Sequence, residues 1–269
     1  MPGEQREQGQ YRRIVVKAGT NVLTGGGDSL DMELMASLVE QVAGLRRRGI
    51  EVLLVTSGAI AAGGHVLDDG GQREDIPSRQ ALAAVGQSRL MHTYEQLFEK
   101  HGIIVAQALL SRGDIMDWEG YLNVRNTLLA LLEWKVVPII NENDVVAVEE
   151  IGVDVFGDND KLSAMVADLV DADLLIMLSD IDGLYTADPH EDSKAVLIPR
   201  VERVDQAIEA LAGVHHSHRS RGGMQSKLEA IKLATASGVA VGLVNGRESQ
   251  VVSRLVEGES VGTFFAPTK

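Results

Sequence analysis

The amino-acid sequence predicts an α/β fold, a three-layer αβα sandwich with a mostly parallel central sheet, on three observations. Apolar runs such as Ile14-Val15-Val16, Val136 to Ile140 and Leu174 to Leu178 lack polar alternation and read as strands buried on both faces. Longer segments of helical spacing separate them, many opened by a capping residue or closed by glycine. The strand runs end abruptly in polar residues, as in open α/β sheets whose ligands sit beyond the carboxyl ends of the strands.

The first strand, Ile14 to Val16, ends in Lys17-Ala18-Gly19-Thr20-Asn21. A lysine and a glycine at such an end suit a phosphate, the ammonium acting as a point charge; a lysine at an exposed turn is the other reading. Gly25 to Asp28 reads as a loop, and Asp31 as the cap of a helix from Met32 to about Arg48, closed by Gly49. Glu51 to Thr56 is the second strand. It runs into Ser57-Gly58-Ala59-Ile60-Ala61-Ala62-Gly63, a turn that presents a helix N-terminus to an anion. Val55 stands two residues before Ser57, so this is no Gly-x-Ser-x-Gly nucleophile elbow; Ser57 reads as a cap or as a donor to a bound carboxylate.

Ser78 is expected to cap a helix from Arg79 to Lys100, whose small residues suit close packing within the chain or between copies. Ile103 to Ala106 is the third strand, Arg112 to Trp118 a polar excursion, and Tyr121 to Trp134 a helix. The strand Val136 to Ile140 delivers Asn141, Glu142, Asn143 and Asp144; a small hairpin is expected over Val146 to Phe156. Gly157-Asp158-Asn159-Asp160-Lys161 then opens a helix to about Leu169. Two acid-amide clusters at one sheet edge make a cup for a cationic or amphoteric molecule or a metal, or else two capped loops.

Leu174 to Leu178 leads into Ser179-Asp180-Ile181-Asp182-Gly183, followed by a turn at Pro189 to Ser193 and a strand at Val196 to Val201. Asp205 caps a helix to about Leu211. His215, His216 and His218 share a loop with no thiolate and read as solvated rather than as a metal site. Arg221-Gly222-Gly223-Met224-Gln225-Ser226-Lys227 has the composition of a phosphate-cradling helix start, the helix running to Ser237 before Gly238. Val239 to Val244 is a core strand, Glu248 to Glu257 a helix, and Val261 to Phe265 an edge strand.

Composition narrows the function. The chain of 269 residues is 45% hydrophobic and 24% charged, an ordinary globular balance. A net charge of -14 argues against nucleic-acid binding, and the lack of cysteine excludes disulfides, thiolate metal sites and a thiol nucleophile. The apolar runs are too short to span a membrane, and residues 1–11 read as a disordered leader, not a signal peptide. A cytoplasmic enzyme with one domain over 12–269 is expected.

Lys17, Ser57, Asn141, Asp144, Asp158, Asn159, Asp160, Ser179, Asp180 and Lys227 gather at predicted strand ends and helix starts. Paired lysines, glycine-rich helix starts and several carboxylates suit phosphoryl transfer with magnesium, where positioning and charge neutralisation do most of the work. An acceptor that is already anionic needs no base; a carboxylate, with a pKa of about 4.3 for Glu, is one.

Lys17-Ala18-Gly19-Thr20, Thr56-Ser57-Gly58-Ala59-Ile60-Ala61-Ala62-Gly63, Ala83-Ala84-Val85-Gly86-Gln87-Ser88, Ile140-Asn141-Glu142-Asn143-Asp144, Gly157-Asp158-Asn159-Asp160, Asp182-Gly183-Leu184-Tyr185-Thr186 and Gly222-Gly223-Met224 occur in one order. From about residue 12 to 265 the chain resembles the glutamate 5-kinases of the amino acid kinase family. That resemblance implies transfer of phosphate from ATP, with Mg2+, to the γ-carboxylate of L-glutamate, the first step toward proline. It implies that Lys17 and Lys227 stabilise the moving phosphoryl group while Asp158 and Asp160 organise the lysines and the metal region. Ser57, Asp144, Asn159 and Asn141 would hold glutamate. Lys17, Ser179, Asp180, Arg221, Gly222, Gly223, Met224, Gln225, Ser226 and Lys227 would line the ATP site. It further implies inhibition by proline, a glutamyl phosphate reductase as pathway partner, and a homo-oligomer. Arg221 stands where the family has threonine, Ala18 and Asn21 also depart from its pattern, and the C-terminal PUA domain of many bacterial members has no counterpart here. Two other readings are a kinase for another carboxylate, such as N-acetylglutamate, and a non-catalytic amino-acid sensor on the same fold.

Overall fold

The computed structural model describes residues 11–67, 75–146, 159–189, 191–213 and 223–268. In chain order these form β1 (Arg13–Ala18), α1 (Thr20–Leu23), α2 (Met32–Arg47), β2 (Glu51–Val55), α3 (Ala59–Leu67), α4 (Ile76–Glu99), β3 (Val105–Leu110), α5 (Arg112–Met116) and α6 (Trp118–Glu133). There follow β4 (Val137–Glu142), α7 (Asn159–Leu169), β5 (Leu174–Ser179), β6 (Arg200–Val201), α8 (Gln206–Gly213), α9 (Met224–Ala236), β7 (Ala240–Asn245), α10 (Val251–Val256) and β8 (Thr263–Phe265).

The strands form one eight-stranded sheet in the order β3-β4-β2-β1-β5-β7-β8-β6. All neighbours run parallel except β7 and β8. Alternation along each central strand splits the apolar side chains between two cores. On one face Ile14, Val16, Leu54, Ile139 and Ile176 pack against α2, α4 and α10. On the other, Val15, Leu53, Val55, Ile140 and Met177 pack against α6, α7 and α9. The three-layer αβα sandwich is therefore present, and one consequence matters for the site. Lys17 follows Val15 by two residues, so its side chain projects to the face covered by α7 and α9.

Local chemistry moves several boundaries. The cap of α4 is Asp75, not Ser78: its carboxylate accepts from the Ser78 N–H, and Pro77 occupies the first turn. The polar excursion at Arg112 is helical, because Ser111 and Asp114 form a reciprocal capping box. The third strand starts at Val105, later than expected, since Ile103 N–H is taken by Phe98 O at the end of α4. The last strand is not an edge: β8 lies between β7 and the two-residue β6. Tyr11, expected in the leader, packs half-buried against the α2–α4 core.

The small residues of α4 are used within the chain. A Cβ at Gly86 would lie 1.7 Å from Ala59 O, and one at Gly63 would lie 1.9 Å from Leu82 O. The backbones of α3 and α4 thus touch where glycines face each other. Asp158, Arg221, Gly222, the histidine loop and residues 147–156 of the expected hairpin lie outside the described residues.

Candidate active site

Six parallel strands deliver their carboxyl ends to one edge of the sheet, and register fixes what stands there. Lys17 pairs with Val55 on one side and Met177 on the other, while Ser179 pairs with Asn245. Thr56 and Ser57 follow β2, Asn141 and Glu142 end β4, and Asp180 follows β5. Gly58 turns the chain from β2 into α3 with φ +94°, a conformation that disfavours any side chain.

Two consecutive residues at the start of α7 divide this edge into two halves. Asp160 turns toward cations. Its Oδ1 lies 2.5 Å from Lys17 Nζ, and its Oδ2 accepts from Lys227 Nζ at 2.9 Å. These three come from β1, α7 and α9, and are 2%, 0% and 8% exposed. Asp160 sits in the first turn of α7, where the helix dipole favours a carboxylate. Buried ion pairs contribute little to stability after desolvation, so two lysines gathered on one buried carboxylate point to chemistry rather than to folding. Gly19 adjoins this group: a Cβ there would lie 3.3 Å from Lys17 Nζ.

Asn159 turns toward amides and hydroxyls. Its Nδ2 donates to Thr56 O at 2.6 Å, Ser57 Oγ at 2.8 Å and Asn141 Oδ1 at 2.9 Å. Its Oδ1 is a buried acceptor without a hydrogen-bond partner among the described residues. Ser57 accepts with its oxygen, which leaves its hydrogen to donate elsewhere. Thr56 Oγ1 is tied to the buried Tyr94 hydroxyl at 2.8 Å, and burial pushes that phenol up to about 12. Asp144 stands just beyond the end of β4. Burial raises its carboxyl above the usual carboxylate range, and the Arg79 charge pulls it back only in part. A carboxylate so desolvated is suited to an incoming ammonium group.

The third group lies at the ends of β5 and β7. Ser179 is buried, and its Oγ donates to Asp180 Oδ1 at 3.3 Å. Burial raises the Asp180 carboxyl, but hydrogen bonds from Asn21, its own backbone and Ser179, with the Lys227 charge, outweigh this and hold it below the usual range. The start of α9 has no side-chain cap on Gly223, so its first-turn N–H groups face whatever approaches. Met224 is buried beneath that turn, Gln225 is exposed and Ser226 half-buried. Asn245 Nδ2 and Tyr185 OH both donate to Asp182, at 2.8 Å each, bracing the loop after β5.

The structure thus gathers Lys17, Lys227 and Asp160 at one point, and Ser57, Asn141 and Asn159 at another beside it. Sequence reasoning missed Asn21 as the partner of Asp180, Asn245 as the partner of Asp182, and Gln87, which accepts from Asn141 Nδ2 at 2.8 Å. A lone Asn in a turn or Gln on a helix carries no periodic signal. Only the strand order brings these partners together. Among the described residues no group of three or more His, Cys, Asp or Glu could hold a metal. A magnesium ion carried by phosphates needs fewer, since it keeps several waters and takes one or two carboxylates.

Comparison with known proteins agrees with this geometry. The amino acid kinase family profile matches residues 12–245. A glutamate 5-kinase of Dehalococcoides mccartyi (strain 195) is 52% identical over 258 residues, covering 96% of this chain and 69% of that protein. The glutamate 5-kinase of Herpetosiphon aurantiacus is 54% identical over 257 residues, with the same coverage of 96% and 69%. Among solved structures, a UMP kinase from Bacillus anthracis superposes with a TM-score of 0.65 at 16% identity, covering 96% of this chain and 97% of that one. That likeness speaks to the fold alone.

Proposed function

This chain belongs to the amino acid kinase family, and we infer that it transfers the γ-phosphoryl group of ATP to the γ-carboxylate of L-glutamate, yielding γ-glutamyl phosphate and ADP. The observation that carries the assignment of residues is the pair of ammonium groups held at 2.5 and 2.9 Å from the Asp160 carboxylate, at the strand ends. A glutamate γ-carboxylate oxygen forms the new bond to phosphorus while the bond from phosphorus to the β,γ-bridging oxygen breaks, leaving ADP. The acceptor is ionised at neutral pH, so no general base is required. Lys17 and Lys227 neutralise charge that spreads over the phosphoryl oxygens, and Asp160 positions both ammonium groups.

The nucleotide phosphates lie against the first turn of α9, from Gly223 through Ser226, and against the Lys17-Ala18-Gly19 turn, where a side chain on residue 19 would press on Lys17. Mg2+ supplies charge neutralisation on the phosphates. Asp180, kept ionised at the end of β5, is the described carboxylate whose chemistry suits it. Glutamate sits in the other half of the edge. Asp144 takes its ammonium group, Ser57 donates to a carboxylate oxygen, and Asn159 with Asn141 completes the cup. Asp158, Arg221 and Gly222 belong with these groups by their place in the chain.

Proline, which carries a secondary ammonium and an α-carboxylate on a smaller body, competes for that cup. The labile acyl phosphate calls for a reductase to consume it. Self-association uses the open β3 side of the sheet, where Ile104 and Trp134 are 70% and 72% exposed, rather than the small residues of α4. The reaction belongs in the cytoplasm, where ATP and free glutamate are plentiful; no described helix is long and apolar enough to cross a membrane. One kinase domain over residues 12–269 is supported by the single sheet that runs from β1 to β8.

Hydroxylamine converts an acyl phosphate to a stable hydroxamate, and trapping across three acceptors tests this reading. Hydroxamate is expected from glutamate well above aspartate and N-acetylglutamate, since acetylation removes the ammonium that Asp144 takes. Equal yield from N-acetylglutamate would contradict it.

A further inference from the structure

A chain of four side-chain amides leads out of the acid-amide cup, and the backbone sets its direction at the inner end. The Thr56 carbonyl can only accept, so Asn159 must turn its NH2 group toward it. The same NH2 group faces Asn141 Oδ1, an oxygen that also accepts from the Glu142 N–H at 2.9 Å. Asn141 is left with its own NH2 pointing onward, to Gln87 Oε1 at 2.8 Å. Gln87 then has only its NH2 for Gln107, whose Oε1 lies 3.0 Å away on the edge strand β3. Each amide dictates which end the next must present. At the inner terminus the outcome is that Asn159 Oδ1, with its NH2 fully committed, stays a buried acceptor aimed away from all of these partners.

We propose that Gln87, in the middle of α4, is a positioning residue for the amino-acid substrate: it anchors the Asn141 side chain and through it steadies Asn159, whose Oδ1 is the acceptor left for the ligand. This rests on the reading that Asn159 contacts glutamate. An apolar side chain at position 87 leaves the Asn141 NH2 without its partner in a partly buried layer, and the Asn141 side chain then gains by shifting to reach another acceptor. Asn141 Oδ1 would then move off the NH2 of Asn159, and the acceptor in the cup would lose its fixed place. Gln107 is exposed and acts only by holding the far end of Gln87.

Steady-state kinetics with glutamate and ATP varied separately decide the matter. Gln87→Met, of equal length but without the amide, should raise the KM for glutamate about three- to tenfold, the worth of one neutral hydrogen bond. The KM for ATP and kcat should stay within about twofold of the parent, since the ion cluster has its own supports. Gln87→Glu keeps an acceptor for Asn141, and Gln107 can turn over to donate to it; this variant should restore the glutamate KM to within about twofold. Gln107→Ala, on an exposed face, should shift the glutamate KM in the same direction by less. A purely structural role would instead lower the melting temperature and the active fraction while leaving the glutamate KM alone. An unchanged glutamate KM in both Gln87→Met and Gln107→Ala overturns the proposal. Asn159→Ala separates the two levels: a raised glutamate KM there with none in Gln87→Met removes Gln87 only, whereas no change in Asn159→Ala removes the cup reading and the proposal together.

Discussion

The two halves of the strand-end edge are built from opposite materials. On one side a carboxylate and two ammonium groups lie buried together; on the other, amides and hydroxyls interlock, with the Asp144 carboxylate beyond them. They are joined by one peptide bond, between Asn159 and Asp160. On the proposed assignment of roles, charge stands where charge moves during phosphoryl transfer, because preoriented ions in a water-poor site stabilise it at little reorganisation. On the same assignment, neutral groups of fixed polarity stand where one small molecule must be told from another, because an unpaired amide discriminates sharply. The first turn of α7 is therefore a divider, and mutations on either side of it should separate in kcat and KM.

The largest separation is expected at the lysines. Lys17→Ala and Lys227→Ala should each lower kcat by roughly 10²–10³, as loss of a preoriented donor does elsewhere. Circular dichroism should find both variants folded, and near-normal turnover in either would remove that lysine from the mechanism. Gly86→Ala tests the other side through its scaffold. The new Cβ would meet Ala59 O at 1.7 Å, so α4 must move off α3. Overpacking of this kind costs about 1–3 kcal/mol, read in a denaturant titration. Because α4 carries Gln87, the glutamate KM should suffer before the ATP KM.

How much of this division was legible beforehand varies with the physics of each part. The central strands were plain, because a strand buried on both faces reads as an unbroken apolar run, as in Leu174 to Leu178 and Ile14 to Val16. The lysine at residue 17 and the cluster around Asp160 were visible as polar residues at the end of an apolar run and at the start of a helix. The pairing of both lysines on Asp160 was not, since residues 17, 160 and 227 meet only through the packing of α7 and α9 on β1. Elements set by a single cap or by two or three residues, such as α5 and β6, were missed or misplaced because periodicity needs length to register. The amide chain escaped notice for a different reason: Gln87 and Gln107 read as ordinary polar residues until strand order sets them beside Asn141.

Asp144→Asn should raise the KM for glutamate about tenfold or more, as loss of a charged hydrogen-bond partner does, with a smaller effect on ATP. Equal effects on both substrates would contradict the ammonium assignment. The same residue predicts a trend with pH. Its folded-state pKa is raised by burial, so the native protein holds that proton more tightly than the unfolded chain. Stability from this group is present in acid and falls as pH rises from the usual carboxylate range through the raised native value. Without ligand, Asp144→Asn should therefore melt higher than the parent at neutral pH, and the gap should close on acidification; a gap that widens in acid would reverse the sign. The smallest effect is expected at Gly19→Ala. Its Cβ would crowd Lys17 Nζ at 3.3 Å, and the KM for ATP should rise severalfold while glutamate is unaffected.

The most direct test combines calorimetry with single-turnover hydroxamate trapping on the double variant Lys17→Ala, Lys227→Ala. If turnover and amino-acid recognition are divided at the start of α7, this protein should bind glutamate with an affinity close to the parent's and form almost no hydroxamate. Hydroxamate produced at the parental rate, or glutamate binding lost along with it, would contradict the division.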